Sequence, residues 1–141
     1  CIQTVDGNNV IAGSSNSFGH GSDDIYLIKT DSAGALVFSK TFSTEGTDAG
    51  NAVKEVAGGY LIAGSVTNEQ GNTDACILGT DYEGTMLMVR SFGELGNESA
   101  NDVFVASTGE YVITGTAGIV AGSPDVYLVK TNADGGTNGS E

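Results

Sequence analysis

Basic side chains are scarce in this sequence, and their scarcity excludes several kinds of partner. Lys and Arg number 5 against 18 Asp and Glu, so the formal net charge is −13. Phosphate backbones and anionic lipid surfaces repel such a chain. No apolar run approaches the ~18 residues that a membrane-spanning helix needs. We therefore expect neither a nucleic-acid partner nor insertion into a membrane.

The residues that most often carry metal or covalent chemistry are also few. The cysteines are Cys1 and Cys76, the lone histidine is His20, and no CxxC pair is present. This excludes a zinc constellation. No nucleophile elbow and no phosphate-binding loop accompany the many serines and glycines. We expect no catalytic residues, with a glycan-active hydrolase or lyase that uses paired acids as the alternative.

The two cysteines leave two questions open. Cys1 has the position of the lipidated first residue of a mature bacterial lipoprotein, but it also falls inside a repeat, which favours a small residue in a strand. A disulfide between Cys1 and Cys76 would need Cα atoms ~4.4–6.8 Å apart, which the sequence does not decide.

Proline is nearly absent, whereas glycine is abundant. The chain has 1 Pro and 22 Gly, and hydrophobic residues make up 39% of it. Glycine without a Gly-X-Y period is not collagen, and it predicts many tight turns between short strands. The hydrophobic content excludes the disordered class.

A repeat of about 51 residues dominates the chain. Three motifs return: NVIAGS (9–14) as YLIAGS (60–65) and YVITGT (111–116), DIYLIKTDSAG (24–34) as DACILGTDYEG (74–84) and DVYLVKTNADG (125–135), and FSKTF (38–42) as MVRSF (88–92). Each period contains four strand-like runs and no helical periodicity over three turns. Four antiparallel strands in ~50 residues are typical of a β-propeller blade, and a β-solenoid is the second choice. The sequence therefore predicts an all-β fold, a β-propeller of four-stranded antiparallel blades.

One turn recurs between the second and third strands of each period. An Asp or Asn begins it and a glycine ends it three residues later, which predicts a type I turn closed by a left-handed glycine. The side-chain oxygen of the first residue accepts hydrogen bonds from N–H groups of the turn. We predict this structural role for six residues: Asp31, Gly34, Asp81, Gly84, Asn132 and Gly135.

The blocks GYLIAGS (59–65), SDDIYLIKTD (22–31) and LVFSKTF (36–42) resemble the roughly fifty-residue β-propeller repeats of bacterial and archaeal secreted and cell-surface proteins. The resemblance spans residues 1–135 and implies an extracellular or cell-surface location. Phe38 and Met88 stand where the family often carries Trp, so stacking of sugars on Trp is not implied.

The repeat arithmetic predicts about 2.8 blades. Residues 1–5 are predicted as the outer strand of a preceding or shared blade, 9–56 as blade 1, 60–107 as blade 2, 111–131 as the first half of blade 3, and 136–141 as a flexible tail. A closed ring needs ~4–8 blades. The chain is then a partial propeller, either because further blades belong to the same longer chain, which we favour, or because several copies complete an oligomeric ring.

Few side chains suggest a binding site. Three are candidates for ligand contact because they lie in predicted loops: Phe18, His20 and Tyr82. Four carboxylates precede the second strand of a blade and are candidates for calcium: Asp23, Asp24, Asp74 and Asp125. Their regular return favours hydrogen bonding at strand starts, and no DxDxDG loop is present. We expect no other cofactor.

These observations predict a non-catalytic extracellular scaffold or protein-binding module, since propellers present variable loops on a rigid body. Its partners would be further blades of the same chain, further copies of itself, or a surface protein or glycan. Two alternatives stay open, a carbohydrate-binding lectin-like propeller and a segment of a secreted propeller enzyme.

Overall fold

The computed structural model describes residues 1–20, 22–93, 96–120 and 123–137. The regular elements of these residues are all strands: β1 (Ile2–Gln3), β2 (Asn9–Ser15), β3 (Asp24–Thr30), β4 (Leu36–Phe42), β5 (Ala49–Val56), β6 (Gly59–Thr67), β7 (Thr73–Thr80), β8 (Met86–Phe92), β9 (Glu98–Val105), β10 (Tyr111–Val120) and β11 (Ser123–Lys130). The fold is therefore all-β, as predicted. In the part of the chain that the structure describes, no helix is long and apolar enough to cross a membrane.

The strands form three antiparallel sheets in chain order. The first sheet contains β1 to β4, the second β5 to β8, and the third β9 to β11. Consecutive strands are hydrogen-bonded neighbours within each sheet, so every sheet is a simple meander.

The sheets begin one strand earlier than the predicted blades. β1 pairs with β2, with Ile2 opposite Val10, instead of serving as the outer strand of another blade. β5 pairs with β6, where Val56 lies opposite Gly59. In the second sheet the reason is loop length, because the two-residue turn 57–58 joins antiparallel neighbours, whereas the longer link 43–48 separates β4 from β5. In the first and third sheets the five-residue hairpins 4–8 and 106–110 are closed by backbone hydrogen bonds from Thr4 to Asn8 and from Ala106 to Glu110. The three sheets thus start one strand before residues 9, 60 and 111, the predicted starts of the blades in 9–56, 60–107 and 111–131, and the first two sheets end one strand before residues 56 and 107.

The segment predicted as a flexible tail starts with ordered backbone. Thr137 forms an antiparallel bridge with Thr131, and the Gly136 N–H donates to Asn132 Oδ1 at 2.8 Å. The equivalent pairings in the first two sheets, Thr30 with Leu36 and Thr80 with Met86, begin β4 and β8. The turn at Asn132 thus directs the chain back along β11. Residues 138–141 lie outside the described residues.

The second sheet is covered on both faces. Successive residues of a strand point to opposite faces, so the neighbours Leu61 and Ile62 enter different cores. One core joins the first and second sheets through Val10, Ile25, Leu27, Val53, Tyr60, Ile62, Cys76 and Leu78. The other joins the second and third sheets through Leu61, Ala63, Ala75, Ile77, Ala100, Val103 and Ile113. This double burial explains why the strand motifs lack polar–apolar alternation.

The first strands of successive sheets lie against one another, β1 against β5 and β5 against β9. Between β5 and β9, the Asn51 side-chain amide donates to the Ala100 carbonyl at 2.9 Å, and Lys54 Nζ lies 3.0 Å from Asp102 Oδ1. The fourth strands instead expose large apolar side chains: Leu36, Val37, Met86, Leu87 and Val89. The sheets therefore approach each other at their first strands and separate toward their fourth strands.

Candidate functional site

The two ends of the sheets differ in their loops. At one end, the short-turn end, strands are joined by compact turns such as 57–58 and 31–35. At the other end, the long-loop end, the described connections are residues 16–20 and 22–23, the link 43–48, the loop 68–72, and residues 93 and 96–97. The loop 68–72 is itself a five-residue Asx turn, in which Asn68 Oδ1 accepts the N–H groups of Gln70 and Asn72 and Gly71 has a left-handed φ of 84°. Longer surface connections, such as the one after β2 and the link 43–48, carry binding residues more often than compact turns do.

The short-turn end is built by the recurrent Asx turn. Asp31 Oδ1 accepts hydrogen bonds from the N–H groups of Ala33 and Ala35 at 2.9 and 2.8 Å, and Gly34 has a left-handed φ of 88°. The same hydrogen bonds and the same left-handed glycine recur at Asp81 with Gly84 and at Asn132 with Gly135. These six residues shape turns, as the sequence predicts.

The three predicted ligand-contact residues do not come together. Phe18 is exposed in the loop after β2 and stacks on Tyr26, with ring centroids 5.6 Å apart. His20 is exposed in the same loop. Tyr82 lies at the opposite, short-turn end, where it contacts Tyr60 edge-on and donates its hydroxyl to the Val56 carbonyl. Phe18 and His20 share the long-loop end, and Tyr82 is part of the packing between turns.

The four predicted calcium candidates lie at the starts of three strands, Asp23 and Asp24 at β3, Asp74 at β7 and Asp125 at β11, and do not converge. Asp24 is buried, and its Oδ1 has no hydrogen-bond partner among the described residues. Asp74 Oδ1 accepts a hydrogen bond from Asn68 Nδ2 at 2.8 Å, whereas Asp23 accepts the Asp48 N–H through its main-chain carbonyl. Asp125 is exposed on the third sheet. Within the described ranges, no three His, Cys, Asp or Glu side chains are grouped as a metal site. Calcium binding stays a prediction.

Sequence reasoning missed Asp48, which organises the long-loop end. Asp48 is fully buried at the start of β5. Its carboxylate accepts hydrogen bonds from the N–H and hydroxyl of Thr44 and from the Thr67 N–H. It thereby ties the link 43–48 to the end of β6. The signal was present in the repeat, because Glu98, the first residue of β9, is the repeat equivalent of Asp48 and is also buried.

A groove of about 740 Å³ lies at the long-loop end between the link 43–48 and the loop 68–72. The Thr67 hydroxyl holds its two walls together, since it accepts the Thr47 N–H at 2.8 Å and donates to the Thr47 carbonyl at 2.7 Å. Gly46 is needed here because a Cβ would lie 2.3 Å from Thr67 Cβ. The exposed side chains that line the groove are polar or acidic: Glu45, Glu69 and Gln70.

An apolar cleft of about 310 Å³ opens between the outer strands of the first and second sheets. Phe42 lines it on the first sheet, and Leu78, Met86 and Val89 line it on the second. The cleft is continuous with the core between these sheets, because Leu78 and Phe42 also pack in that core. It marks where the two sheets separate.

Both cysteines are free thiols, Cys1 exposed and Cys76 buried. Burial, with a smaller contribution from the Asp48 carboxylate, raises the pKa of the Cys76 thiol to about 12. Since the thiolate is the reactive form, Cys76 is a packing residue at neutral pH.

No model of a known protein family and no curated protein matches this chain.

Proposed function

We propose that this chain is part of a β-propeller that acts as a non-catalytic extracellular scaffold or protein-binding module. Its three sheets are consecutive blades, and its long-loop end is the recognition surface. The contacts between first strands and the double burial of the second sheet support the propeller arrangement. The resemblance of the repeats to secreted and cell-surface propellers supports the extracellular setting.

The difference between the two ends carries this proposal. At the short-turn end, one turn recurs with the same hydrogen bonds in all three sheets. At the long-loop end, the connection after β2 is longer than the loop 68–72 after β6, and the loop 68–72 forms the 740 Å³ groove with the link 43–48. A rigid body that repeats at one end and varies at the other suits recognition, because loop changes there leave the cores intact.

The groove selects for a basic partner. Glu45 and Glu69 are exposed beside it, and the chain as a whole carries a net charge of −13. A protein surface with lysine or arginine side chains complements this potential, and its binding should weaken as salt screens the exposed charges.

The test is an array of extracellular protein domains and glycans probed with the wild-type chain and two variants. The double variant Glu69→Ala/Gln70→Ala alters the groove, and Glu83→Ala removes one exposed carboxylate at the short-turn end of the same sheet. We expect basic protein domains among the hits and at least a tenfold loss of affinity in the groove variant alone. An array without hits, or equal losses in both variants, contradicts the proposal.

Carbohydrate binding is the second candidate. The observation that favours it is Phe18, whose exposed ring at the long-loop end is supported from behind by Tyr26. Glycan hits that disappear in Phe18→Ala and persist in the groove variant would select this function instead.

A further inference from the structure

Each of the outer sheets has one uncovered face. The leading face is the side of the first sheet turned away from the second, and it presents Ile11, Tyr26, Ile28 and Val37. The trailing face is the side of the third sheet turned away from the second, and it presents Phe104, Val112, Val126 and Leu128. The strand registers assign these side chains to their faces.

Repeat-equivalent positions show what the trailing face lacks. Leu27 and its equivalent Ile77 are fully buried because each points into a core with the next sheet. Their equivalent in the third sheet, Leu128, is 64% exposed, and Val126, the equivalent of the buried Ile25 and Ala75, is 89% exposed. The trailing face therefore repeats a packing surface without its cover.

The leading face shows the converse. Ile62 and Ile113 are fully buried against the preceding sheet, whereas their equivalent Ile11 is 38% exposed. The turn glycines follow the same rule, since Gly84 packs against Phe38 of the preceding sheet and the equivalent Gly34 has open space around it. The leading face is a packing surface for a sheet that would precede the first.

We infer that the trailing face of one copy of this chain packs on the leading face of a second copy, head to tail. The contact between copies would have the same geometry as the two contacts between neighbouring sheets within the chain, which we call seams: the first seam joins the first and second sheets, and the second seam joins the second and third. Val126 and Leu128 of one copy take the places of Ile25 and Leu27, and Ile11 of the other copy takes the place of Ile62. The inference rests on the propeller arrangement in the proposed function.

Side-chain sizes fit this contact. In the core between the first and second sheets, the larger Ile25 of the first sheet packs with the small Cys76 of the second. In the core between the second and third sheets, the small Ala75 of the second sheet packs with the larger Tyr127 of the third. The contact between copies would combine Val126, of middle size, with Tyr26. Such alternation of large and small residues is what lets facing layers interdigitate.

The trailing face also has a lysine at the position where a lysine lies at the edge of the first seam. In the first seam Lys29 is buried, with its Nζ 5.5 Å from the Tyr60 ring centroid and 3.6 Å from Asp6 Oδ2. On the trailing face the equivalent Lys130 lies 3.0 Å from Glu110. The lysine is therefore already paired with an acid before a second copy arrives.

Two copies would supply six sheets, within the ~4–8 that close a propeller ring. The contact is heterologous, since its two halves are different surfaces, and two such contacts close the ring. This asymmetry makes the inference testable with two complementary variants.

The experiment measures mass in solution by light scattering at increasing protein concentration. Ile11→Asp disables the leading face and Leu128→Asp the trailing face. We expect the wild type to be dimeric, each variant alone to be monomeric, and an equimolar mixture to form one-to-one dimers through the one intact pair of faces. Val126→Asp is a second trailing-face variant with a side chain that is largely exposed in the single chain.

The matched control is Leu87→Asp, which places the same charge at an exposed leucine of β8 that belongs to neither end face. It should leave the dimer intact. A monomeric wild type, a single face variant that still dimerises, or a mixture that stays monomeric overturns the inference. A monomeric chain that keeps its groove-dependent array hits would reject self-association and leave the proposed function standing.

Discussion

At the residue scale, the buried thiol of Cys76 makes the stability of the fold depend on alkaline pH. Its pKa is raised from 9.0 to about 12 by burial. Between these values the unfolded thiol is ionised and the folded thiol is not, so the folded state binds one proton more. Stability from this group is complete below about pH 9 and falls as the pH rises toward 12.

We expect the free energy of unfolding of the wild type to fall more steeply above about pH 9 than that of Cys76→Ala, by up to ~1.4 kcal/mol per pH unit. Urea denaturation at pH 7, 9 and 10.5 measures the two slopes. The other ionisable groups are common to both proteins, so the difference isolates this thiol. Cys1→Ser is the control, since Cys1 is exposed and should keep the wild-type slope. Parallel curves for wild type and Cys76→Ala would contradict the prediction.

Residue roles could be predicted from the sequence where they are local. The hydrogen bonds of Asp31 reach residues two and four positions along the chain, so a short motif is enough to predict them. The hydrogen bond from the Thr67 N–H to Asp48 spans 19 residues and depends on how β5 pairs with β6. That is why the turns were found and the carboxylate that organises the groove was not.

At the element scale, a bulge fixes how the first strand of a sheet pairs with the second. In the second and third sheets the register shifts opposite Gly64 and Gly115. A Cβ on Gly64 would lie 1.9 Å from the Ala49 carbonyl oxygen, and one on Gly115 would lie 1.8 Å from that of Ser99. In the first sheet, β1 pairs through two residues without such a shift, and Gly13 has open space.

Gly64→Ala and Gly115→Ala should therefore each lower the free energy of unfolding by about 2–3 kcal/mol, because the backbone of the bulge must move to admit the methyl group. Gly13→Ala is the matched control and should be neutral or stabilising by ~0.5 kcal/mol, since glycine weakens a strand interior. Chemical denaturation of the three variants at low protein concentration measures the difference. Equal effects at the three positions would refute the role of the bulge.

Strand positions could be predicted from the motifs, but their grouping into sheets could not be predicted from the period alone. When four strands recur in a fixed order, a sheet could begin at any one of them, and the repeat itself does not indicate which strand comes first in a sheet. For the second sheet, the two-residue turn 57–58 and the longer link 43–48 hold that information, because only the shorter connection requires its strands to be neighbours.

At the scale of the whole molecule, the second sheet couples the two cores. Ile62 faces the first sheet and Leu61 the third, and both are fully buried. A destabilising substitution on either face of this sheet should therefore lower the stability of the entire chain.

Ile62→Ala should lower the free energy of unfolding by about 3 kcal/mol, as expected for a large side chain deleted from a packed core. Ile11→Ala, at the equivalent position of the first sheet, should lower the free energy of unfolding of the monomer by less than ~1 kcal/mol. The reason is that the Ile11 side chain stays partly exposed to water in the folded chain, so its truncation removes less buried apolar surface than Ile62→Ala does. Urea denaturation at protein concentrations where light scattering shows a monomer makes this comparison. Similar losses for the two variants would show that the equivalent positions are not covered in the way the stacked sheets require.

The sequence by itself determined the all-β character, the positions of the strands and the chemistry of the Asx turns. These follow from side-chain patterns within a few residues and from the period of the repeat. The tertiary structure decided which strands share a sheet, which faces stay uncovered and where Glu45 and Glu69 meet in one groove. Those features depend on contacts between residues that are tens of positions apart, and a repeated motif does not reveal which of its copies has a neighbour.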